Sequence, residues 1–379
     1  MRNSYILNRA DFDTLFIALH TRGYTIIGPT INSGAIVYEE LQSADDLPAG
    51  WTDQQDAGTY SLKKRQDNAL FGYNTGPHSF KQFLFPPKQR VWSARRLADG
   101  AVIEPEPAGT EKLALLGARA CDIAAIATQD VVFLKSAYTE RIYQAKRSEL
   151  CVIAVNCGQA GGTCFCVSTN TGPEVTHGYD LCLTELIDTT QHQFYITSGS
   201  ELGEQLLADL PAHPAAARHA KIAEEIAAHT AESMQRKINP AAAAGLSKQS
   251  EHPQWDDIAQ RCLACSNCTM VCPTCFCVSF EDHTDLSGSQ TERIRLWDSC
   301  FTTSHSHTAG GSVRVSGKSR YRQWLTHKFS TWQDQFGVSG CVGCGRCITW
   351  CPAKIDITAE IAAITGSASE SIGISEEKV

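Results

Sequence analysis

The chain has 379 residues, with 33 lysines and arginines against 41 aspartates and glutamates, and a net charge of −8. This balance argues against a general nucleic-acid binder, because such proteins carry basic surfaces that attract phosphate. No apolar run approaches the ~18 residues of a membrane span, and the first residues lack the apolar core of a secretory signal. Seventeen cysteines without such a signal indicate a reducing compartment in which thiolates bind metal, so we expect a cytoplasmic protein.

The N-terminal quarter shows ordinary α/β patterning. Apolar periodicity predicts a helix over residues 12–20 and strands over residues 24–27 and 35–40. Residues 43–80 are rich in Asp, Gly, Asn and Gln, which favours loops.

Two later apolar runs each end at a cysteine. Residues 112–116 lead to Cys121, and residues 149–155 lead to Cys157. Both runs are typical of buried strands, and in open α/β sheets ligands gather where strands end, because the loops converge there. We therefore expect the two cysteines to face each other.

The loop after the second run adds two cysteines in Gly161-Gly-Thr-Cys164-Phe-Cys166. In a strand the side chains of a Cys-x-Cys pair point to opposite faces, so both can bind one metal centre only from a turn, which the two glycines allow. A third [4Fe–4S] cluster is one interpretation, and buried small hydrophobic thiols are the other. The candidate ligands are Cys121, Cys157, Cys164 and Cys166. Cys151 and Cys182 lie in apolar surroundings and are expected in the core.

Residues 218–238 are predicted to form an amphipathic helix, and the Ala-rich and polar stretch that follows marks a domain boundary. The apolar stripe of this helix comprises Ile222, Ile226, Met234 and Ile238.

Two copies of one cysteine motif dominate the C-terminal third. The first runs from Cys262 to Pro273 and the second from Cys341 to Pro352, both with the spacing C-x2-C-x2-C-x3-C-P. This spacing is typical of ferredoxins with two [4Fe–4S] clusters, whereas zinc ribbons have paired C-x2-C knuckles. Disulfides are the other alternative, and the doubled motif makes both alternatives weak.

In such ferredoxins three cysteines of a motif bind one cluster and the fourth binds the other. We expect this fourth cysteine and its proline to begin a helix. The first predicted set is Cys262, Cys265, Cys268 and Cys351. The second predicted set is Cys341, Cys344, Cys347 and Cys272.

A six-residue repeat links the two halves, because residues 163–168 recur unchanged as residues 274–279. The second copy places Cys275 and Cys277 beside the first motif, and Cys300 follows. These three cysteines could form a further site, shield a cluster or pack. We favour packing and an influence on cluster potential through burial and hydrogen bonds.

Residues 273–340, which separate the two motifs, are rich in basic side chains. Such a run forms either a solvated face or a positive environment that raises the potential of anionic clusters. The segment carries, among others, Arg293, Arg295, Arg314, Lys318, Arg320, Arg322, Lys328, His305, His307 and His327.

Together these motifs resemble a known family, the beta subunits of cytoplasmic NAD(P)-linked nickel–iron hydrogenases, or sulfhydrogenases. The resemblance rests on both cysteine motifs, on residues 272–277, 297–300, 320–322 and 327–328, and on residues 76–87, 121–122 and 156–166 of the N-terminal half. The iron–sulfur subunits of anaerobic sulfite reductases are a similar sister family. The resemblance implies an iron–sulfur subunit beside a subunit that binds FAD and NAD(P)H. No Gly-x-Gly-x-x-Gly after a strand and no Walker loop occurs in this chain.

We therefore expect an α/β (α+β) N-terminal domain over residues 1–240, which carries the third cysteine site. A ferredoxin-like domain for two [4Fe–4S] clusters follows over residues 241–365, with residues 273–340 as a long insertion. Residues 366–379 form a polar tail.

The expected function is electron transfer within a complex and not catalysis by this chain alone. The chain would relay single electrons between a FAD/NAD(P)H-binding subunit, on one side, and the small and large subunits of a nickel–iron hydrogenase, on the other. One alternative is the same relay to a sirohaem sulfite reductase subunit. Another is an enzyme that reduces a small substrate at its own N-terminal cluster, and the last is a structural iron–sulfur module.

Overall fold

The computed structural model describes residues 4–74, 76–109 and 111–367. Sixteen strands lie in these residues: β1 Ser4–Asn8, β2 Thr25–Asn32, β3 Ala35–Leu41, β4 Trp51–Asp56, β5 Thr59–Lys64, β6 Lys88–Leu97, β7 Gly100–Pro105, β8 Leu113–Ala118, β9 Cys151–Val155, β10 Leu181–Ile187, β11 His192–Ser198, β12 His213–Pro214, β13 Val278–Thr284, β14 Gln290–Trp297, β15 His307–Thr308 and β16 Gly311–Ser312.

The same residues contain thirteen α-helices: α1 Asp13–Thr21, α2 Lys81–Leu84, α3 Ala120–Leu134, α4 Arg141–Ser148, α5 Glu201–Ala208, α6 Ala217–Glu232, α7 Pro240–Ala244, α8 Gln254–Arg261, α9 Asn267–Met270, α10 Gly317–Thr326, α11 Trp332–Phe336, α12 Arg346–Thr349 and α13 Ile357–Thr365. A π-helical turn, His327–Thr331, joins α10 to α11. Short 3-10 turns occupy Arg9–Asp11, Ala44–Asp46, Cys166–Thr169 and Gly245–Lys248.

The N-terminal half is built on an eight-stranded mixed sheet with the order β12-β1-β11-β10-β9-β8-β2-β3. Its centre is parallel, and β8 and β9 are buried along their whole length, as their continuous apolar sequences require. Helices α1 and α5 cover one face of the sheet, and α3 and α4 cover the other. Cys151 and Cys182 lie in these two cores, which confirms their predicted burial.

The parallel strands β8 and β9 are neighbours, so their carboxyl ends meet at one edge of the sheet. Cys121 follows β8 in the first turn of α3, and Cys157 follows β9. The predicted convergence of these two cysteines is confirmed, and it follows from strand order.

A second sheet joins distant parts of the chain in the order β13-β14-β6-β7. Strand β14, from the segment between the two cysteine motifs, pairs antiparallel with β6 from the N-terminal half. The expected division near residue 240 stays a prediction, and this sheet crosses it.

The prediction of loops throughout residues 43–80 is wrong in part, because β4 and β5 form a hairpin there. Its polar composition resembles a loop, but its tip is fixed by the C-terminal half. The Gly58 N–H donates to the Ile348 carbonyl at 3.1 Å.

Helix α6 also differs from the prediction. It ends at Glu232, before Met234, and its buried side chains include Ala223 and Ala227, while Ile222 is exposed. Small side chains face the sheet here because the helix packs against β10 and β11.

The C-terminal half packs around an aromatic and aliphatic core that includes Trp255, Phe301, Tyr321 and Trp324. The fourth cysteine of each motif follows a short helix and does not begin one, so that prediction for Cys272 and Cys351 is wrong. Among the described residues, no helix has both the length and the apolarity needed to cross a bilayer. The predicted polar tail lies outside the described residues from position 368 onward.

Candidate iron–sulfur centres

The two cysteine motifs form loops with the same backbone path. The residues on either side of the second cysteine are left-handed in both loops: Ala264 (φ 51°) and Ser266 (φ 69°) in the first, and Gly343 (φ 61°) and Gly345 (φ 73°) in the second. Each loop continues into a short helix, and these helices, α9 and α12, pack together. The backbone N–H of Ala264 donates to the Cys262 Sγ at 3.4 Å, and the N–H of Gly343 donates to the Cys341 Sγ at the same distance. Such donors stabilise thiolates and tune cluster potentials.

The first predicted set of cysteines lines one largely apolar cavity, which we call site 1. Its sulfur residues are Cys262, Cys265, Cys268 and Cys351. Phe301, Tyr321 and Trp324 form an aromatic wall. Burial, followed by the charges of neighbouring cysteines, raises the pKa of Cys268 well above its usual value. These thiols therefore need a cationic partner such as iron if they are to be thiolates together.

One side of site 1 reaches the surface. Cys265 is exposed, and the neighbouring Leu263 side chain is 67% exposed. Cys347 of the second set also lines this cavity.

The second predicted set, which we call site 2, lies deeper. Its members are Cys341, Cys344, Cys347 and Cys272. Burial, followed by the charges of the other three, raises the pKa of Cys347 well above its usual value, so the four thiols are close neighbours. At Cys272 a hydrogen bond from Cys275, helped by the Lys328 ammonium, lowers the thiol pKa well below its usual value.

The four N-terminal candidates line a single enclosed cavity, which we call site 3. They are Cys121, Cys157, Cys164 and Cys166. Cys344 of site 2 and Met234 complete its sulfur-rich lining, and the Met234 Sδ lies 3.9 Å from the Cys166 Sγ. The sequence placed Met234 on a helical stripe, whereas the chain after α6 brings it to this cavity.

Site 3 and site 2 are held together by close backbone contact. A Cβ on Gly343 would lie 2.6 Å from both the backbone nitrogen and the Cα of Cys166, so only glycine fits there. The Phe165 N–H donates to the Gly343 carbonyl at 2.8 Å. The first copy of the six-residue repeat therefore packs directly against the second ferredoxin loop.

Two buried arginines flank site 3, and the sequence did not indicate their roles. The Arg119 guanidinium donates to the carbonyls of Phe71, Tyr73 and Asn156 at 2.7–3.0 Å. Burial raises the pKa of Cys157, and Arg119 beside it acts in the opposite direction.

The second arginine, Arg346, pairs with Asp122 at 2.8 Å, and both side chains are 1% exposed. Burial raises the pKa of Cys344, and the charge of Arg346 acts in the opposite direction. The sequence did place Arg346 between Cys344 and Cys347. A charged residue in such a loop needs a partner when the loop is buried, so an ion pair could have been predicted from this position.

The three remaining cysteines lie beside the ferredoxin sites. Cys275 contacts Cys272, and Cys277 contacts Cys300. This placement agrees with a packing and tuning role, which stays a prediction.

The donor sets fit iron–sulfur clusters. A single zinc ion, with Zn–S bonds of about 2.3 Å, would draw four sulfurs to within about 3.8 Å of one another. In the part of the chain that the structure describes, no three His, Cys, Asp or Glu side chains are arranged around a single metal ion. Four cysteines that line one cavity suit a larger inorganic unit, in which each thiolate binds a different iron atom.

Comparison with known proteins agrees with this geometry. The family model for a 4Fe-4S dicluster domain matches residues 261–355. Sulfhydrogenase 2 subunit beta of Pyrococcus furiosus is 30% identical over 342 residues, which cover 87% of this chain and 89% of that protein. The chain therefore belongs to the family of iron–sulfur beta subunits of sulfhydrogenases.

Proposed function

We propose that this chain is the electron relay of a sulfhydrogenase complex, with a [4Fe–4S] cluster at each of sites 1, 2 and 3. When bound, such clusters supply one-electron redox chemistry at potentials set by their surroundings. The protein provides the thiolates, the N–H donors and the exclusion of water.

The observation that carries this proposal is that neighbouring sites share cysteines in their walls. Cys347 belongs to the site 2 set and also lines site 1. Cys344 belongs to the same set and also lines site 3. The three sites therefore follow one another in a line, with site 2 in the middle.

Both ends of this line approach the surface. Site 1 does so at the exposed loop around Cys265. Site 3 shares Ala120 and Pro173 with an open groove between residues 170–177 and α6. A line of sites with one end at an exposed loop and the other beside an open groove suits transfer between two partner proteins.

The partners we propose are a subunit with FAD and NAD(P)H at one end and the nickel–iron hydrogenase subunits at the other. The sequence has no dinucleotide-binding motif of its own, which supports the proposal that a partner binds the nucleotide. A relay to a sirohaem sulfite reductase remains the alternative, because the same line of sites would serve it. The expected cytoplasmic location stays a prediction.

The test uses the native complex purified without oxygen. Three clusters predict about twelve iron atoms per copy of this chain, beyond those of its partners, and Cys157→Ser should lower the total by about four. Hydrogen-dependent NAD(P)+ reduction should then fail, while the catalytic subunits still reduce an artificial dye. Cys151→Ala, which changes a buried thiol away from all three sites, is the matched control.

Unchanged iron and unchanged electron transfer in Cys157→Ser would refute the site 3 relay. Metal analysis of the same preparation distinguishes the partners, because nickel marks a hydrogenase and sirohaem marks a sulfite reductase. An iron-free or zinc-containing chain would refute the proposal as a whole.

A further inference from the structure

A buried ammonium group contacts site 2. Lys328 is 3% exposed and lies in the π-helical turn His327–Thr331, a type of turn that is frequent at functional sites. Its Nζ donates to the Cys272 Sγ at 3.3 Å, to the Thr274 Oγ1 at 3.0 Å and to the Gly340 carbonyl at 2.9 Å.

These contacts identify the group as a charged ammonium. The Thr274 hydroxyl donates to the Gly340 carbonyl at 2.7 Å, so its oxygen accepts from Lys328. Three acceptors then take three N–H donors, and only the protonated amine has three.

A second buried ammonium lies nearby. Lys81 is 4% exposed, donates to the Cys275 carbonyl at 3.2 Å and lies 3.7 Å from the centre of the Trp297 ring. Among the described residues, neither lysine forms an ion pair with a carboxylate, and the anionic groups that act on both are cysteine sulfurs. Because an unpaired buried charge is strongly destabilising, these two charges need an anion at Cys272 and its neighbours.

Other basic residues of the same segment are neutralised elsewhere. Arg293 pairs with Asp282 at 2.7 Å, and Lys318 pairs with Asp256 at 2.9 Å. The solvated-face interpretation of the basic run therefore holds for these residues. Arg295 and Lys328 are buried instead, and of these two only Arg295 pairs with a carboxylate, that of Glu140.

Site 1 has a different environment. The hydrogen bonds to its sulfurs come from the backbone amides of Ala264 and Ile355. Arg320 acts on Cys262 only through its charge, and its guanidinium is bound to the carbonyls of Phe301 and Val315. In the described part of the chain, no lysine or arginine hydrogen-bonds to a site 1 sulfur.

We propose that Lys328, supported by Lys81, makes site 2 the easier of the two ferredoxin sites to reduce. A fixed positive charge in a low-dielectric interior stabilises the state with one more electron. Electrons that enter the line would then collect at its protected centre. This inference rests on the proposed cluster at site 2.

The experiment is a redox titration of the full-length chain, followed by electron paramagnetic resonance with iron measured on each sample. Cys265→Ser and Cys344→Ser assign the signals to sites 1 and 2. Lys328→Met should lower the ratio of reduced to oxidised site 2 at a fixed potential at least tenfold, a shift of about 59 mV. In Lys328→Arg, which keeps the positive charge, the ratio of reduced to oxidised site 2 should stay close to that of the unmodified chain. Lys318→Met, which removes a carboxylate-paired lysine, should leave this ratio unchanged.

An iron-replete Lys328→Met with an unchanged site 2 potential overturns the inference, as does an equal shift in Lys328→Arg. If Lys328→Met loses iron, Lys81→Met is the variant to titrate, because the Lys81 ammonium contacts no assigned ligand. An unchanged site 2 potential in Lys81→Met also overturns the inference. Failure of the underlying cluster assignment is distinguishable, because the unmodified chain would then lack iron at site 2.

Discussion

The close contact between Gly343 of the second ferredoxin loop and Cys166 of the first repeat copy can be tested by adding one methyl group at Gly343. In Gly343→Ala the new Cβ would lie 2.6 Å from two backbone atoms of Cys166. Backbone atoms cannot rotate away as a side chain can, so either the loop or residues 165–166 must move. Because Cys344 and Cys166 lie on the two sides of this contact, the movement would disturb sites 2 and 3 together.

The magnitude has two contributions. A left-handed alanine costs roughly 1–2 kcal/mol, and overpacking adds about 1–3 kcal/mol. The sum, about 2–5 kcal/mol, is a large share of a typical total stability of about 5–15 kcal/mol. Gly337→Ala is the matched control, since Gly337 has φ 71° and no atom within 4 Å of a new Cβ. That variant should incur only the first contribution.

The assay is the midpoint of denaturant unfolding, together with iron per chain, for both variants. Gly343→Ala should unfold at clearly lower denaturant than Gly337→Ala and should lose iron from sites 2 and 3. Ala264, at the equivalent position of the first loop, shows that a left-handed alanine is itself tolerated in this fold. Equal midpoints and full iron in both variants would refute the argument that close contact, not backbone angle, requires glycine at position 343.

Three further predictions follow from the sites. Arg346→Met leaves Asp122 buried without its partner and should cost about 3–5 kcal/mol, whereas Arg293→Met breaks a solvent-exposed pair and should change the denaturant midpoint far less; equal denaturant midpoints would contradict this. Arg119→Leu leaves three carbonyls without their donor and should lower the iron content by about four atoms while the ferredoxin signals persist; loss of the ferredoxin signals alone would count against it. Anaerobic removal of iron with a chelator should lower the unfolding midpoint, since metal binding stabilises the folded state, and thiol labelling should then reach Cys265 before the buried Cys344; labelling in the reverse order would contradict the described burial.

The sequence was sufficient wherever one local rule determined the result. The cysteine spacing indicated two loops, and these loops share one backbone path. The apolar runs before Cys121 and Cys157 indicated buried strands, and strand order then brought both cysteines to one edge.

Features that depend on distant contacts were not predictable. The hairpin β4–β5 has the composition of a loop and is fixed by its contact with Ile348. The exposure of Ile222 and the burial of Ala227 follow from the close packing of α6 on the sheet. Lys328 stood among many basic residues of its segment, and only its contact with Cys272, 56 positions away in sequence, distinguishes it from the others.

The shared sheet of β13, β14, β6 and β7 has a consequence for experiments on isolated fragments. A protein cut near residue 240 would leave β14 with an unpaired edge that β6 normally covers, and open strand edges invite aggregation. The dicluster segment is therefore unsuited to expression by itself, although its motif resembles that of small autonomous ferredoxins. For the same reason, exchange of this segment between related proteins would have to include residues 88–105.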